Sequence, residues 1–137
     1  MGHLVEMLGD GVGASIVLGD VPFLRGGLQA AVGGIYSSLQ KSNENARRAV
    51  VNHTEAAREG REKYKLLFDP QTSGGLLITV AGDRVEEFVE RLREVGYGEA
   101  TVVGELVEMK GGGGGGEAGG GEEEVCELQK KVVRVVC

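Results

Sequence analysis

The second half of the chain alternates short apolar runs with one stretch of helical spacing. The apolar runs 76–80 and 100–107 predict strands. Between them, Asp83 predicts a helix cap and Gly96 predicts the end of that helix. The apolar positions of this helix are Val85, Phe88, Val89, Leu92 and Val95. The order of strand, helix and strand predicts a β-α-β unit, whose crossover is right-handed if its strands lie parallel in one sheet.

The first half of the chain predicts helices around one short strand. Residues 3–8 have the pattern of the last turns of a helix that is truncated at its start. The predicted core face of this helix comprises Leu4, Met7 and Leu8. The glycines of 9–13 end it, and the apolar run 14–18 predicts a strand. Asp20-Val21-Pro22 then predicts the start of a second helix, which ends at Gly33-Gly34.

A third helix is predicted from Ser42, which can act as its cap. Its inward positions are Ala46, Ala49 and Val50. Arg47 and Arg48 are interpreted as surface charges rather than phosphate ligands. Residues 54–65 are highly charged and contain no apolar stripe, which predicts an exposed helix or loop. His53 is expected to be a surface histidine without a partner.

A polar turn lies between two apolar runs, and its sequence is Asp69-Pro70-Gln71-Thr72-Ser73-Gly74-Gly75. Pro70 fixes its own φ and favours an extended conformation at the residue before it. The two glycines permit positive φ and let a ligand or another backbone come close. Consecutive backbone N–H groups in such a turn can form a nest that binds an anion. The candidate phosphate or nucleotide-cleft residues are Asp69, Thr72, Ser73, Gly74 and Gly75.

The same turn also has a purely structural interpretation. Asp69 can cap the turn, while Gly74 and Gly75 allow close packing against another part of the protein. In the functional interpretation, Thr72 and Ser73 add hydroxyl donors, and Asp69 accepts hydrogen bonds from the turn amides or faces a magnesium ion. The turn contains no lysine and does not open a helix, so it is not a P-loop.

Composition narrows the classes of partner. The net charge is −6 and no basic cluster stands out, which argues against nucleic acid as a partner. No apolar run approaches the roughly 20 residues needed to cross a membrane, and the first residues do not form a secretory signal. We therefore expect no membrane partner and a cytoplasmic location.

Neither catalytic residues nor metal ligands are assigned from the sequence. Cys126 and Cys137 are interpreted as free thiols, because two cysteines outside a core make no disulfide framework. The chain's histidines, His3 and His53, have no ligand spacing to these cysteines that would support a metal site. Glu122-Glu123-Glu124 is interpreted as a solvated run of charge.

Three regions are predicted along the chain. Residues 1–108 form the folded domain, and 109–124 form a flexible loop rich in glycine and glutamate, which buries too little apolar area to become ordered. Residues 125–137 are a terminal strand or tail, with strand propensity concentrated in 131–136.

The nine residues from Asp69 to Leu77 resemble the signature of the C-terminal half of the selenophosphate synthetase (selenide, water dikinase) family. Further resemblance lies in Gly2–Met7, in residues 34–49 and in Val102–Val107. The resemblance therefore covers about residues 2–108. It implies an α/β (α+β) domain of the AIR-synthase C-terminal type, with three α/β/α layers, a ferredoxin-like core and a mixed sheet.

The resemblance also implies a function that is shared with other parts of a longer enzyme. The family uses ATP and magnesium to convert selenide and water to selenophosphate, AMP and phosphate. Its N-terminal half carries the glycine-rich loop, the reactive cysteine or selenocysteine, the lysine and most metal-binding aspartates. This chain opens at Met1-Gly2-His3 without those motifs, so we expect a C-terminal fragment that is not catalytic alone. Its expected partner is the missing N-terminal half, through which the family chiefly forms its homodimer.

Two alternatives stay open from the sequence. The chain resembles, less specifically, related ATP-using enzymes such as aminoimidazole ribonucleotide synthetase and thiamine-phosphate kinase. It is alternatively a non-enzymatic binding or regulatory module. If the chain is a fragment of a longer enzyme, a surface that the family normally covers is exposed. That exposure predicts self-association.

Overall fold

A computed structural model describes residues 1–71 and 74–109, and the backbone of strand 133–136. The α-helices are α1 (Gly2–Met7), α2 (Gly27–Val32), α3 (Gln40–Asn43), α4 (His53–Leu66) and α5 (Val85–Glu94). The strands are β1 (Val12–Val17), β2 (Gly104–Glu108) and β3 (Val133–Val136). Single 3₁₀ segments span Leu18–Asp20, Glu44–Ala49 and Gly82–Arg84.

The described strands form one mixed sheet in the order β2-β1-β3. β1 runs antiparallel to β2, so that Val12 pairs with Glu108 and Ile16 pairs with Gly104. β1 runs parallel to β3, in which Ala14 pairs with Val133. The mixed α/β class is confirmed, whereas the three-layer arrangement and the ferredoxin-like core stay predictions.

The core forms where one face of β1 meets α1 and α4. Ala14, Ile16 and Leu18 alternate inward, as the two-residue period of a strand requires. The other buried members of this cluster are Leu4, Val5, Leu8, Ala49, Val50, Ala56, Tyr64 and Phe68. The inward positions predicted at Ala49 and Val50 are confirmed. Met7, predicted to face the core, is 48% exposed, and Val5 takes its place.

The charged segment predicted as an exposed helix or loop is α4, and it contributes to the core. Ala56 and Tyr64 are both buried within it. Arg61 interrupts the helix with φ 45° and ψ −121°. The interruption divides α4 into two arms, and this is why no continuous apolar stripe marks the segment in the sequence.

The prediction that a helix starts at Asp20 is wrong. Asp20 lies in a 3₁₀ segment, residues 21–24 have no regular structure, and α2 begins only at Gly27. Gly26 adopts a left-handed φ of 86° just before it. That reversal is open to glycine and directs the chain into a shorter helix than the apolar spacing predicted.

The strand predicted at 76–80 is also wrong. Residues 74–81 have no regular structure, and the Leu76 side chain is 91% exposed. Both edges of β1 are taken by β2 and β3, so the run finds no free edge of β1 to pair with. The predicted β-α-β unit therefore does not form, and the strand predicted at 100–107 is the shorter β2, antiparallel to β1.

The amphipathic helix predicted before Gly96 is confirmed as α5, but without its predicted cap. Asp83 makes no capping hydrogen bond and instead lies in the 3₁₀ segment before the helix. The apolar stripe of α5 is half-buried, and none of its residues is fully buried. Within the described part of the chain, α5 thus retains an apolar face that is incompletely covered.

The strand predicted within 131–136 is present as β3. The division of the chain into three regions stays a prediction, because residues 110–132 and 137 lie outside the described residues. No helix among the described residues is both long and apolar enough to cross a membrane.

Candidate functional site

The polar turn begins directly at the end of α4. The Phe68 amide donates to the Lys65 carbonyl at 3.0 Å, and the Asp69 amide donates to the Leu66 carbonyl at 3.1 Å. The Phe68 ring is buried and meets the Tyr64 ring edge-on, with 5.2 Å between ring centroids. The core therefore fixes the point at which the turn leaves the domain.

Asp69 is the described carboxylate of the predicted site, and its side chain is half-buried. Its Oδ2 accepts a long hydrogen bond of 3.5 Å from Gln71 Nε2. Among the described residues, this weak contact is the one side-chain hydrogen bond of the carboxylate. Thr72 and Ser73 lie outside the described residues, so their predicted hydroxyl roles stay predictions.

Gly74 and Gly75 were expected to permit positive φ and the close approach of a ligand or another backbone. Gly75 does not adopt a left-handed φ. A Cβ at Gly74 would meet Gln71 Oε1 at 2.8 Å, but that atom is the movable end of an exposed side chain. A Cβ at Gly75 would meet nothing within 4 Å. Both glycines are exposed, and they present bare backbone that another molecule can approach closely.

The exposed surface continues into the apolar residues that follow. Leu76, Leu77 and Ile78 are 91%, 41% and 50% exposed. We call residues 76–78 the apolar strip. A run of three large exposed apolar side chains beside a polar turn is typical of a surface that contacts another protein segment or ligand.

His53 has a partner that the sequence did not reveal, so its assignment as an unpaired surface histidine is wrong. Its Nδ1 lies 3.0 Å from the Tyr64 hydroxyl oxygen. Burial raises the pKa of Tyr64 to about 12, and the positive charge of Arg47 opposes part of that increase. Tyr64 belongs to the core and His53 is half-buried beside it, so their contact joins the two arms of α4.

The described residues do not gather the donors of a metal site. No three His, Cys, Asp or Glu side chains lie together in this part of the chain. Magnesium prefers near-octahedral coordination by oxygen atoms. Asp69 is the one carboxylate of the described turn, so these residues do not by themselves fit a resident magnesium ion.

One family model and several known proteins match most of this chain. The family model of the AIR synthase related protein, C-terminal domain, matches residues 1–116. A selenide, water dikinase of Pelobacter propionicus is 42% identical over 109 residues, which cover 79% of this chain and 31% of that protein. A selenide, water dikinase of Carboxydothermus hydrogenoformans is 39% identical over 97 residues, covering 70% of this chain and 27% of that protein. No solved structure matches the chain significantly.

Proposed function

We propose that this chain, which belongs to the family of the AIR synthase related protein, C-terminal domain, acts as the C-terminal part of an ATP-dependent selenophosphate synthetase. The proposed reaction converts selenide, ATP and water to selenophosphate, AMP and phosphate. The chain spans about a third of the length of the curated relatives it matches. The reaction is therefore proposed for the longer protein and not for this chain alone.

The observation that carries the proposal is the similarity to proteins named selenide, water dikinase, at 42% identity over 109 residues. The relatives from Pelobacter propionicus and Carboxydothermus hydrogenoformans carry the same name, which favours selenium chemistry over the related ATP-using enzymes. The turn from Asp69 to Gly75 supports it further, because the turn starts beside the buried Phe68 and its glycine backbone is exposed.

In this proposal, the turn forms one wall of the ATP cleft. The bare backbone at Gly74 and Gly75 lets phosphate oxygens approach, and Thr72 and Ser73 supply hydroxyl donors. Asp69 orients the turn or accepts a hydrogen bond from a donor group of the substrate. Phosphoryl transfer depends mainly on positioning and electrostatic stabilisation, so small displacements of this wall alter the rate strongly. Any magnesium ion is held by other parts of the longer protein.

The partner proposed for the apolar strip is the N-terminal part of the same enzyme. Leu76 exposes nearly all of its side chain, and full burial of a leucine contributes roughly 1.5–3 kcal/mol. The half-buried stripe of α5 lies next along the chain and adds apolar area. Contact here would also place the polar turn at the junction of the two parts.

A chimera tests the proposal. This chain is joined to the preceding two-thirds of the Pelobacter propionicus relative, and a non-hydrolysable ATP analogue with magnesium is titrated into the chimera and into the chain alone. We expect saturable binding by the chimera and none by the chain alone. Thr72→Ala and Gly74→Val should each weaken binding by roughly tenfold, because each alters the proposed phosphate wall.

Gly98→Val is the matched control, since a Cβ at Gly98 meets nothing within 4 Å and the residue is exposed. A folded chimera that binds the analogue with the same affinity in all variants would contradict the role of the turn. A folded chimera that does not bind the analogue would contradict the proposal as a whole.

A further inference from the structure

A shallow depression of about 300 Å³ lies between the loop before α3 and the end of α4. Its lining residues are Tyr36, Ser37, Ser38, Gln40, Lys41, Glu44 and Lys65. None of these residues belongs to the polar turn or to the apolar strip. Its volume is at the lower end of the range found for small-molecule sites.

Gln40 is the unusual member of this group. Its side chain is 5% exposed, and its Nε2 donates to the Lys65 carbonyl at 2.8 Å. Its Oε1 is buried and has no hydrogen-bond partner among the described residues. Rotating the amide would place Oε1 against the Lys65 carbonyl, so the orientation is fixed. A buried acceptor without a donor is costly, and it favours a molecule that supplies one.

The charged groups around Gln40 are arranged without pairing to each other. In the part of the chain that the structure describes, Lys41 and Glu44 take part in no ion pair. The Lys65 ammonium lies 5.6 Å from the centroid of the Tyr36 ring. The Tyr36 hydroxyl donates to the Ala31 carbonyl at 2.9 Å, which holds that ring in place.

We propose that this depression binds a small phosphomonoester that carries an amino group. The Lys41 and Lys65 ammonium groups and the serine hydroxyls match the phosphate. The Glu44 carboxylate matches the amine. A movement of the neighbouring exposed side chains would open the way to the buried Gln40 Oε1, to which the amine would then donate the hydrogen bond that Oε1 lacks. The inference does not depend on the proposed selenophosphate chemistry, because the site lies entirely within this chain.

Phosphoethanolamine and propyl phosphate form a pair of probes for this site. They have the same length, but the first ends in an ammonium group and the second in a methyl group. Each is titrated into the 137-residue chain by calorimetry. We expect phosphoethanolamine to bind saturably and propyl phosphate to bind at least tenfold more weakly. Equal affinities, or no saturable binding of phosphoethanolamine, would overturn the proposal.

Variants separate specific binding from general attraction by positive charge. Lys65→Gln should weaken phosphoethanolamine binding by roughly tenfold, whereas Lys63→Gln on the same helix should not change it, since Lys63 does not line the depression. Gln40→Leu should abolish the preference for phosphoethanolamine over propyl phosphate. If Gln40→Leu fails to fold, Glu44→Gln tests the same preference, which should then decrease. An equal effect of the two lysine variants would overturn the proposal.

Discussion

The His53 Nδ1 atom and the Tyr64 hydroxyl oxygen lie 3.0 Å apart although eleven residues separate them within α4. In a continuous helix, that separation would correspond to about 16 Å along the axis. The contact exists because the backbone at Arg61 turns the second arm back towards the first. The same reversal brings Ala56 and Tyr64 into one core.

Removing the Tyr64 hydroxyl should weaken the junction of the two arms. We expect Tyr64→Phe to lower the free energy of unfolding by about 1 kcal/mol, because it deletes one hydrogen bond and keeps the packed ring. Urea unfolding measures this value. In a double-mutant cycle with His53→Ala, additive effects would show that the two side chains do not interact.

Stability should decrease at high pH because of Tyr64. Burial raises the pKa of this side chain from its ordinary value of 10 to about 12 in the folded state. The stabilisation is therefore fully present below pH 10 and is lost as the pH rises through 12, since the unfolded chain releases the proton first. The loss is on the order of 2 kcal/mol. Urea midpoints across this range should fall less for Tyr64→Phe than for the unaltered chain, and parallel curves would contradict the assignment.

Relieving the backbone at Arg61 should stabilise the fold. A non-glycine residue at φ 45° and ψ −121° carries strain of about 1–3 kcal/mol, and glycine adopts this conformation readily. We expect Arg61→Gly to raise the melting temperature in a thermal scan. Arg58→Gly, at an exposed helical position, should lower it. A lower melting temperature for Arg61→Gly would indicate that the arms do not meet through this turn.

Gly104 should be intolerant of any side chain. A Cβ at this residue would collide with the Ser15 carbonyl oxygen and would lie 3.0 Å from the Ile16 Cα. Because β1 is the central strand, Gly104→Ala should cost about 1–3 kcal/mol of stability by urea unfolding. Gly98→Ala is the control, and it should change stability little. Equal effects of the two alanines would contradict the pairing of Gly104 with Ile16.

The apolar strip should cause self-association of the isolated chain. Light scattering should give a mass above the 14.4 kDa of one chain, and the excess should fall in Leu76→Ser. Leu24→Ser is a matched control, because Leu24 is likewise largely exposed, at 82%, but lies outside the strip. A monodisperse monomer would contradict the prediction.

Local pattern predicted some elements well and others poorly. The spacing of Val85, Phe88, Val89 and Leu92 was sufficient to predict α5, because helical periodicity depends on neighbouring residues alone. The run 76–80 has the composition of a strand, but pairing depends on which edges of β1 are free. Whether an edge of β1 is free is set by β2 and β3, which are not part of the local pattern around residues 76–80.

The sequence predicted only part of the candidate site. The residue types and order from Asp69 to Gly75 predicted a special turn, and the structure places its start beside the buried Phe68. The close approach of a ligand or another backbone to Gly74 and Gly75 stays a prediction, and both glycines are exposed. The His53–Tyr64 pair could not be predicted, because it depends on one backbone reversal at Arg61 that no side-chain pattern marks.

Formation of AMP from ATP in the presence and absence of selenide, by the chimera with the Pelobacter propionicus relative, is the most direct test of the proposed function. We expect AMP to accumulate only when selenide is present, and to accumulate more slowly in Thr72→Ala than in Gly98→Ala. A folded chimera that binds ATP but forms no selenide-dependent AMP would contradict the assignment of this chain to selenophosphate synthesis.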